Sequence, residues 1–402
     1  MPLSYWRAFA SGAARDEAVF QARIIERLGV QTRAFPIGRA RSGIYLLAKL
    51  AMLSGRSKVL MSPYTIPDVV TMVMLAGATP VFYDFYPDST SCNIEGLAEE
   101  IDGDTACVFI THYHVNEPGI DKIAEICRSR GVYLFDDCAL SFGGMIDGKP
   151  MGSVTDASVF SFSSFKLLNF FWGGMITTRD PELGALIEDT IAQWPRLRSN
   201  DYLSPARAIF KYDVASRPPF FSSLVFPMLR RRLDKAEQAS GLEYVRIETD
   251  QLNATLTSRP SLAAFGEWSR KLSKIDAWLL HRRLIAEIYR RHVGAHMVSA
   301  DTSNADRAGA CFVNFPVLVP PEWREEIIRA MMLSGYDVGR SLYPNAHRHP
   351  KFGAVEGRSA NVDRLVSGLI YLPTHFGVSE SYATNIGVHL AGQLERLVGR
   401  GA

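Results

Sequence analysis

Between about residue 38 and residue 180, short β-forming runs alternate with segments of helical period, and few folds accommodate that rhythm. The runs are Val59–Met61, Pro80–Asp84, Cys107–His112, Val132–Asp137, Ser158–Phe162 and Met175–Thr178. A strand that pairs in parallel with the next needs a crossover, and a helix supplies it while covering the sheet face. The pattern predicts an α/β fold with a mostly parallel central sheet covered by helices. Gly77 and Gly131 read as helix stops, each placed just before a new strand.

Farther along, an amphipathic helix is expected from near Ser269 through Leu280 toward Tyr289. Cys311–Leu318 and Leu369–Pro373 read as strands, and Glu322–Leu333 and Ser379–Leu397 as helices. A chain of 402 residues, 47% hydrophobic, is long enough for two such units. The expectation is a large α/β domain over 1–268, interrupted by an apolar insertion at about 200–245, and a smaller C-terminal α+β domain over 269–402.

Charge and cysteine usage exclude several classes. A formal net charge of +2 gives no field drawing the chain to nucleic acid. The five cysteines are scattered and form no CxxC pair, which fits a reducing compartment rather than a disulfide framework. No basic-then-apolar leader opens the chain and no run of eighteen apolar residues occurs, so a cytoplasmic protein is expected.

The chemistry concentrates at two strand ends. Val132-Tyr133-Leu134-Phe135 is apolar throughout, as in a strand buried on both faces, so only the following Asp136-Asp137 can reach a ligand. About thirty residues on, Ser161-Phe162-Ser163-Ser164-Phe165-Lys166 places a lysine just past another strand. A lysine and a carboxylate so placed suit pyridoxal phosphate, whose carbonyl forms a Schiff base with an amine and whose ring nitrogen must stay protonated. Lys166 offers the amine. Asp137 is the first choice for the acid and Asp136 the second. Taken singly, an Asp pair is more often a cap and a lone lysine is usually solvated.

Several motifs together carry a family resemblance. Val59–Thr65, Leu75–Asp84, Leu134–Ala139, Phe160–Lys166 with Gly173-Gly174, Tyr343-Pro344 and Tyr371–His375 occur in the order and rough spacing of the DegT/DnrJ/EryC1/StrS aminotransferases. The chain resembles that family nearly end to end. The resemblance implies a fold-type-I pyridoxal phosphate enzyme, a homodimer with shared active sites, and transfer of an amino group from an amino acid, glutamate by analogy, to a keto sugar. The sugar would be nucleotide-linked, or lipid-linked and amphiphilic. A pyridoxal phosphate enzyme with a dehydratase-like outcome and a degenerate regulatory binder are the alternatives. Retention of Lys166 argues against the first.

By the same resemblance Lys166 is the Schiff-base lysine, Asp137 the ring-nitrogen partner and Ser161 a phosphate contact. Arg41 and Ser42 fall at the first phosphate-binding turn, where a helix N-terminus favours an anion; Ser42 as a plain helix cap is the competing reading. Leu140 stands where relatives carry a polar residue, Ile66 where an aromatic stacks on the ring, with Tyr64 as the nearby substitute. Leu167-Leu168-Asn169-Phe170-Phe171-Trp172 is far more apolar than usual, which opens the question of substrate polarity. Asn253 and Thr255 are approximate counterparts of the segment that reaches the neighbouring subunit's phosphate. Tyr343, His347 and His349, with Arg340, lie where relatives present substrate-facing loops. His112 and His114 could face the cleft or serve as loop or core residues. No metal-binding set is expected.

Within the insertion, residues 217–232 run from Arg217-Pro218-Pro219-Phe220-Phe221 to Met228-Leu229-Arg230-Arg231-Arg232. An aromatic stretch leading into three arginines suits a monotopic anchor at the inner face of a membrane. A hydrophobic flap packed on the protein or across a dimer is the commoner use of such a run.

Overall fold

The computed structural model describes residues 14–29, 31–114, 116–164, 166–216, 221–235, 251–298, 308–340 and 343–401. Eight strands form the main sheet: β1 (Arg33–Ile37), β2 (Lys58–Met61), β3 (Thr79–Phe82), β4 (Thr105–Thr111), β5 (Tyr133–Asp137), β8 (Ala157–Ser161), β9 (Gly174–Thr178) and β12 (Glu356–Gly357). The two-residue strands β6 (Met145–Ile146) and β7 (Lys149–Pro150) make a separate hairpin. The order in the main sheet is β1-β9-β8-β5-β4-β2-β3-β12, and β9 alone runs against the rest. This is the mostly parallel sheet that the alternation predicts.

The central strands are buried along nearly their whole length, because helices cover both faces. On one face the helices Ala40–Ala51 and Pro67–Leu75 share a core with Val59, Phe109 and Val159; on the other Phe20, Phe160, Phe162 and Trp268 pack together. The parallel strands β2, β4, β5 and β8 all end at one edge, and that edge collects Tyr64, His112, Asp137 and the loop after Ser161.

The expected C-terminal unit is a three-stranded antiparallel sheet, β10 (Asn314–Leu318), β13 (Leu369–Pro373) and β11 (Gly339–Arg340), in the order β10-β13-β11, with the helices Arg324–Leu333 and Glu380–Gly401. The helix Ile275–Val293 joins the two units. Ile275 and Leu279 lie in the large core, whereas Ile285, Ile288 and Tyr289 lie in the small one. The C-terminal chain also returns to the large unit: β12 extends the main sheet beside β3, and Asp84 accepts the backbone N–H groups of Asn361 and Val362 at the start of the helix Ala360–Gly368. The cores do not divide at 268/269, since Leu272, Ile275, Leu279, Leu365 and Tyr371 belong to the large one.

Candidate active site at the strand ends

Asp136 and Asp137 leave the same strand on opposite sides, and alternation gives them different surroundings. Asp136 is sealed inside: Thr155 and Ser158 donate their hydroxyls to it, and His112 donates Nε2–H at 3.0 Å. The tautomer is set from behind, since the Glu117 backbone N–H donates to His112 Nδ1 at 3.0 Å. Asp136 is thus fully hydrogen-bonded. His112 is fully buried with both nitrogens engaged, as in the core reading of the two that the sequence left open.

Asp137 is the acid with capacity to spare. Its Oδ1 accepts the Ala139 N–H at 3.0 Å, and Oδ2 has no partner among the described residues. Burial pushes its carboxyl up, while the nearby Lys166 charge pulls it down. Lys166 responds in kind: burial lowers its amine to about 8, against the pull of Asp137. Lys166 Nζ makes no hydrogen bond or ion pair among the described residues. The two groups are close enough to feel each other, and neither is neutralised by a third.

The loop carrying Lys166 is held firmly around that free amine. The Phe162 N–H bonds Gly173 O and the Phe170 N–H bonds Phe162 O, both at 2.9 Å, closing the loop at its base. Asn169 donates to Ser164 O at 2.7 Å, and Ser164 donates to Phe171 O at 3.1 Å. Lys271, buried on the helix Leu262–Leu272, donates to Asn169 O at 2.5 Å and to the Asn169 side chain, and pairs with Glu267 at 3.1 Å. Leu168, Phe170 and Phe171 are buried, and Phe170, Phe171 and Trp172 lie against the ring of Tyr202. The unusual apolarity after Lys166 is therefore spent on packing the loop, not on lining a substrate cavity.

A helix N-terminus meets this loop. Ser161 pairs in register with Gly174, and a Cβ on Gly174 would lie 2.8 Å from the Ala40 nitrogen and 2.7 Å from Phe160 O, so only glycine fits where the strand crosses the helix start. Arg39, the N-cap of the helix Ala40–Ala51, supplies no capping side chain. The Ser42 N–H turns back to Arg39 O at 3.1 Å, the positive end of the helix dipole favours an anion there, and Ser161 Oγ beside Ser163 Oγ, 3.3 Å apart, offers two hydroxyls. The side chains expected to contact phosphate are committed elsewhere: Arg41 pairs with the buried Asp68, and the Ser42 hydroxyl donates to Leu256 O. What this helix offers an anion is backbone and dipole, as its position requires.

The remaining candidates divide. Ile66 is the N-cap of the helix Pro67–Leu75 and partly buried, and Leu140 lies in the large core. Tyr64 is fully buried and hydrogen-bonded through its hydroxyl to Tyr371 at 2.5 Å, so it is not open to a cleft. Tyr371 in turn meets His114 Nε2 at 2.9 Å, and Tyr113 donates to Ser62 and to Tyr64 O, a hydroxyl chain that ties the small sheet to the large one. Tyr343 packs edge-on against Tyr64. His347 faces Phe82 and bonds Ser359 through Nδ1, His349 caps the Pro350–Phe352 turn, and Arg340 pairs with Glu325 in the small unit. Asn253 is exposed, its Oδ1 accepting from Thr255 and Leu256 within its own turn.

Sequence reasoning missed Lys271, Glu267, Asn169, Ser163 and Tyr113. The signal for the first two was present: Ala263, Glu267 and Lys271 recur at four-residue spacing on the buried stripe of one helix, where charged residues need a partner.

A mostly parallel sheet brings a lysine amine shifted to about 8 and a buried acid to one edge of an α/β fold. Residues 16–193 and 262–390 match the model of the DegT/DnrJ/EryC1/StrS aminotransferase family, and the chain belongs to that family. It is 26% identical over 358 residues to the dTDP-4-dehydro-2,3,6-trideoxy-D-glucose 4-aminotransferase of Saccharopolyspora spinosa, covering 89% of this chain and 83% of that one. It is 30% identical over 138 residues to the GDP-perosamine synthase of Escherichia coli O157:H7, 34% of this chain and 38% of that one. Its fold matches Helicobacter pylori PseC, an aminotransferase involved in the biosynthesis of pseudoaminic acid, with a TM-score of 0.72 at 16% identity over 98% of this chain and 95% of that one. Several of the curated relatives are matched over less than half of their own length. The five cysteines are buried and unpaired, and among the described residues no helix is long and apolar enough to cross a membrane.

Proposed function

We propose that the protein is a pyridoxal phosphate-dependent aminotransferase that moves an amino group from an amino acid, glutamate by analogy, to a nucleotide-linked keto sugar. The observation that carries the reading is the unpaired Lys166 amine, lowered to about 8, beside the half-satisfied Asp137. The sugar class rests on the names of the relatives, two of which act on nucleotide-linked sugars.

The residues fit the cofactor. Asp137 is a buried acid whose charged form needs an opposite charge nearby, and a protonated ring nitrogen is one. The uncapped start of the helix Ala40–Ala51, with Ser161 and Ser163, suits a phosphate dianion. Pyridoxal phosphate, when bound, supplies the electron sink that carries the amino group between donor and acceptor.

Lys166 supplies the amine that links to the cofactor aldehyde. Displaced from that link by substrate, its Nζ serves as the base and acid that takes a proton from the substrate carbon and returns it. An amine near 8 does this at neutral pH, whereas one at 10.5 would stay charged. Asp137 holds the ring proton through the whole cycle, and the Asp136–His112–Glu117 network behind it keeps the strand end rigid. A homodimer is part of the reading, supported by Asn253, which lies exposed on the segment whose Leu256 and Ser258 carbonyls bind the start of the phosphate helix.

The test is optical. Purified protein given pyridoxal phosphate should gain a visible absorbance band that bleaches when glutamate is added and returns with a nucleotide-linked keto sugar. A spectrum that cofactor leaves unchanged would refute the proposal.

A further inference from the structure

The family match does not cover residues 194–261, so the helices within residues 203–235 lie outside what the chain is shown to share with that family. Its composition is lopsided. Residues 203–235 hold seven Lys or Arg against two Asp, a net of +5 in a chain whose total is +2, which leaves the rest of the molecule acidic at −3. The same span holds five aromatic rings.

The structure shows how the two kinds of side chain are arranged. The helices Leu203–Ser216 and Phe226–Lys235 are joined through the turn Phe221–Val225, which contacts both. Phe210 is 48% exposed, Leu224 64% and Met228 54%, three of the larger apolar side chains left in water anywhere in the described residues. Two of them have basic neighbours that are also exposed: Arg207 and Lys211 flank Phe210, and Arg230 and Arg231 follow Met228. The four charged side chains described in this span, Arg207, Lys211, Arg230 and Arg231, are all basic and exposed, whereas the side chains of Asp213 and Asp234 lie outside the described residues.

We infer that this added helical pair is a docking face for an anionic lipid surface. Apolar side chains standing in water gain free energy by entering the acyl boundary, and arginines and lysines beside them sit at the headgroup level. The net charge of −3 on the rest of the chain, against +5 on this span, favours approach with the helical pair foremost. A protein partner of matching shape would be expected to neutralise the basic residues with acids, whereas a headgroup layer needs only negative charge and depth. The inference does not depend on the transamination reading.

The experiment is co-sedimentation of the full chain with vesicles. With phosphatidylcholine containing phosphatidylglycerol the protein should pellet, and with pure phosphatidylcholine it should stay in the supernatant. High salt should release it. Neutralising Arg230→Gln or Arg231→Gln should each weaken binding on the order of fivefold, and Leu224→Glu with Met228→Glu should abolish it. An unchanged far-ultraviolet circular dichroism spectrum and thermal melt in each variant report that the protein is folded. The inference fails if wild-type protein ignores the anionic vesicles, or if it binds neutral ones as well. It fails too if Leu224→Glu with Met228→Glu changes the oligomeric state on gel filtration while vesicle binding persists, because the face then joins copies of the chain.

Discussion

Lys166 and Lys271 are two lysines that burial lowers to about 8, one loop apart, with opposite surroundings. Lys271 is held by Glu267 and by two oxygens of Asn169, so every short contact fixes it in place. The Lys166 amine has Asp137 within electrostatic reach and makes no hydrogen bond among the described residues. The same shift therefore marks two jobs: one amine spends its charge holding a loop, and the other is kept free on the loop that is held. A perturbed pKa points to function only when its cause leaves bonding capacity unused.

Removing each lysine should separate these roles. Lys166→Ala should lower turnover by at least about a thousandfold and erase the visible cofactor band, with melting temperature unchanged or raised, because a buried amine costs stability. Asp137→Asn should cost on the order of a hundredfold in turnover and weaken cofactor retention in a dialysis assay. Lys271→Met should act on stability first, costing about 3 kcal/mol in a denaturant melt because Glu267 loses one of its two cations. Adding Glu267→Gln should recover part of that loss. If Lys271→Met matched Lys166→Ala in turnover while leaving stability intact, the division of labour would be wrong.

The smallest effects lie in pH. Cofactor capture by the apo-protein needs a neutral amine, so its rate should climb as pH rises through about 8 and level off above it. A rate that kept rising toward 10.5 would show an ordinary lysine. Both amines fall from an unfolded value of 10.5 to about 8 on folding, so between those limits the unfolded chain binds more protons. Stability should then increase with pH across that window, and Lys166→Met should flatten the slope in thermal melts.

The alternation of strands and helices, the linking helix and the convergence of Asp137 and Lys166 were legible in the sequence because period and strand-end position are local signals. The partners of those residues were not. Arg41 and Ser42 sit at the correct turn, but their side chains are taken by Asp68 and by Leu256, residues 27 and 214 positions away. His112 was open between cleft and core because a strand end is ambiguous until the neighbouring strand brings Asp136 beside it. The return of β12 to the main sheet had no signal in a two-residue strand. Apolar residues after Lys166 opened the question of substrate polarity, whereas in the structure Phe170, Phe171 and Trp172 pack against Tyr202.

The central claim is that Lys166, and not the equally shifted Lys271, carries the cofactor. Borohydride reduction of the pyridoxal phosphate-loaded protein followed by peptide mapping tests it directly. A phosphopyridoxyl mass on the peptide containing Lys166 is the expected result; the same mass on Lys271, or on neither, would contradict it.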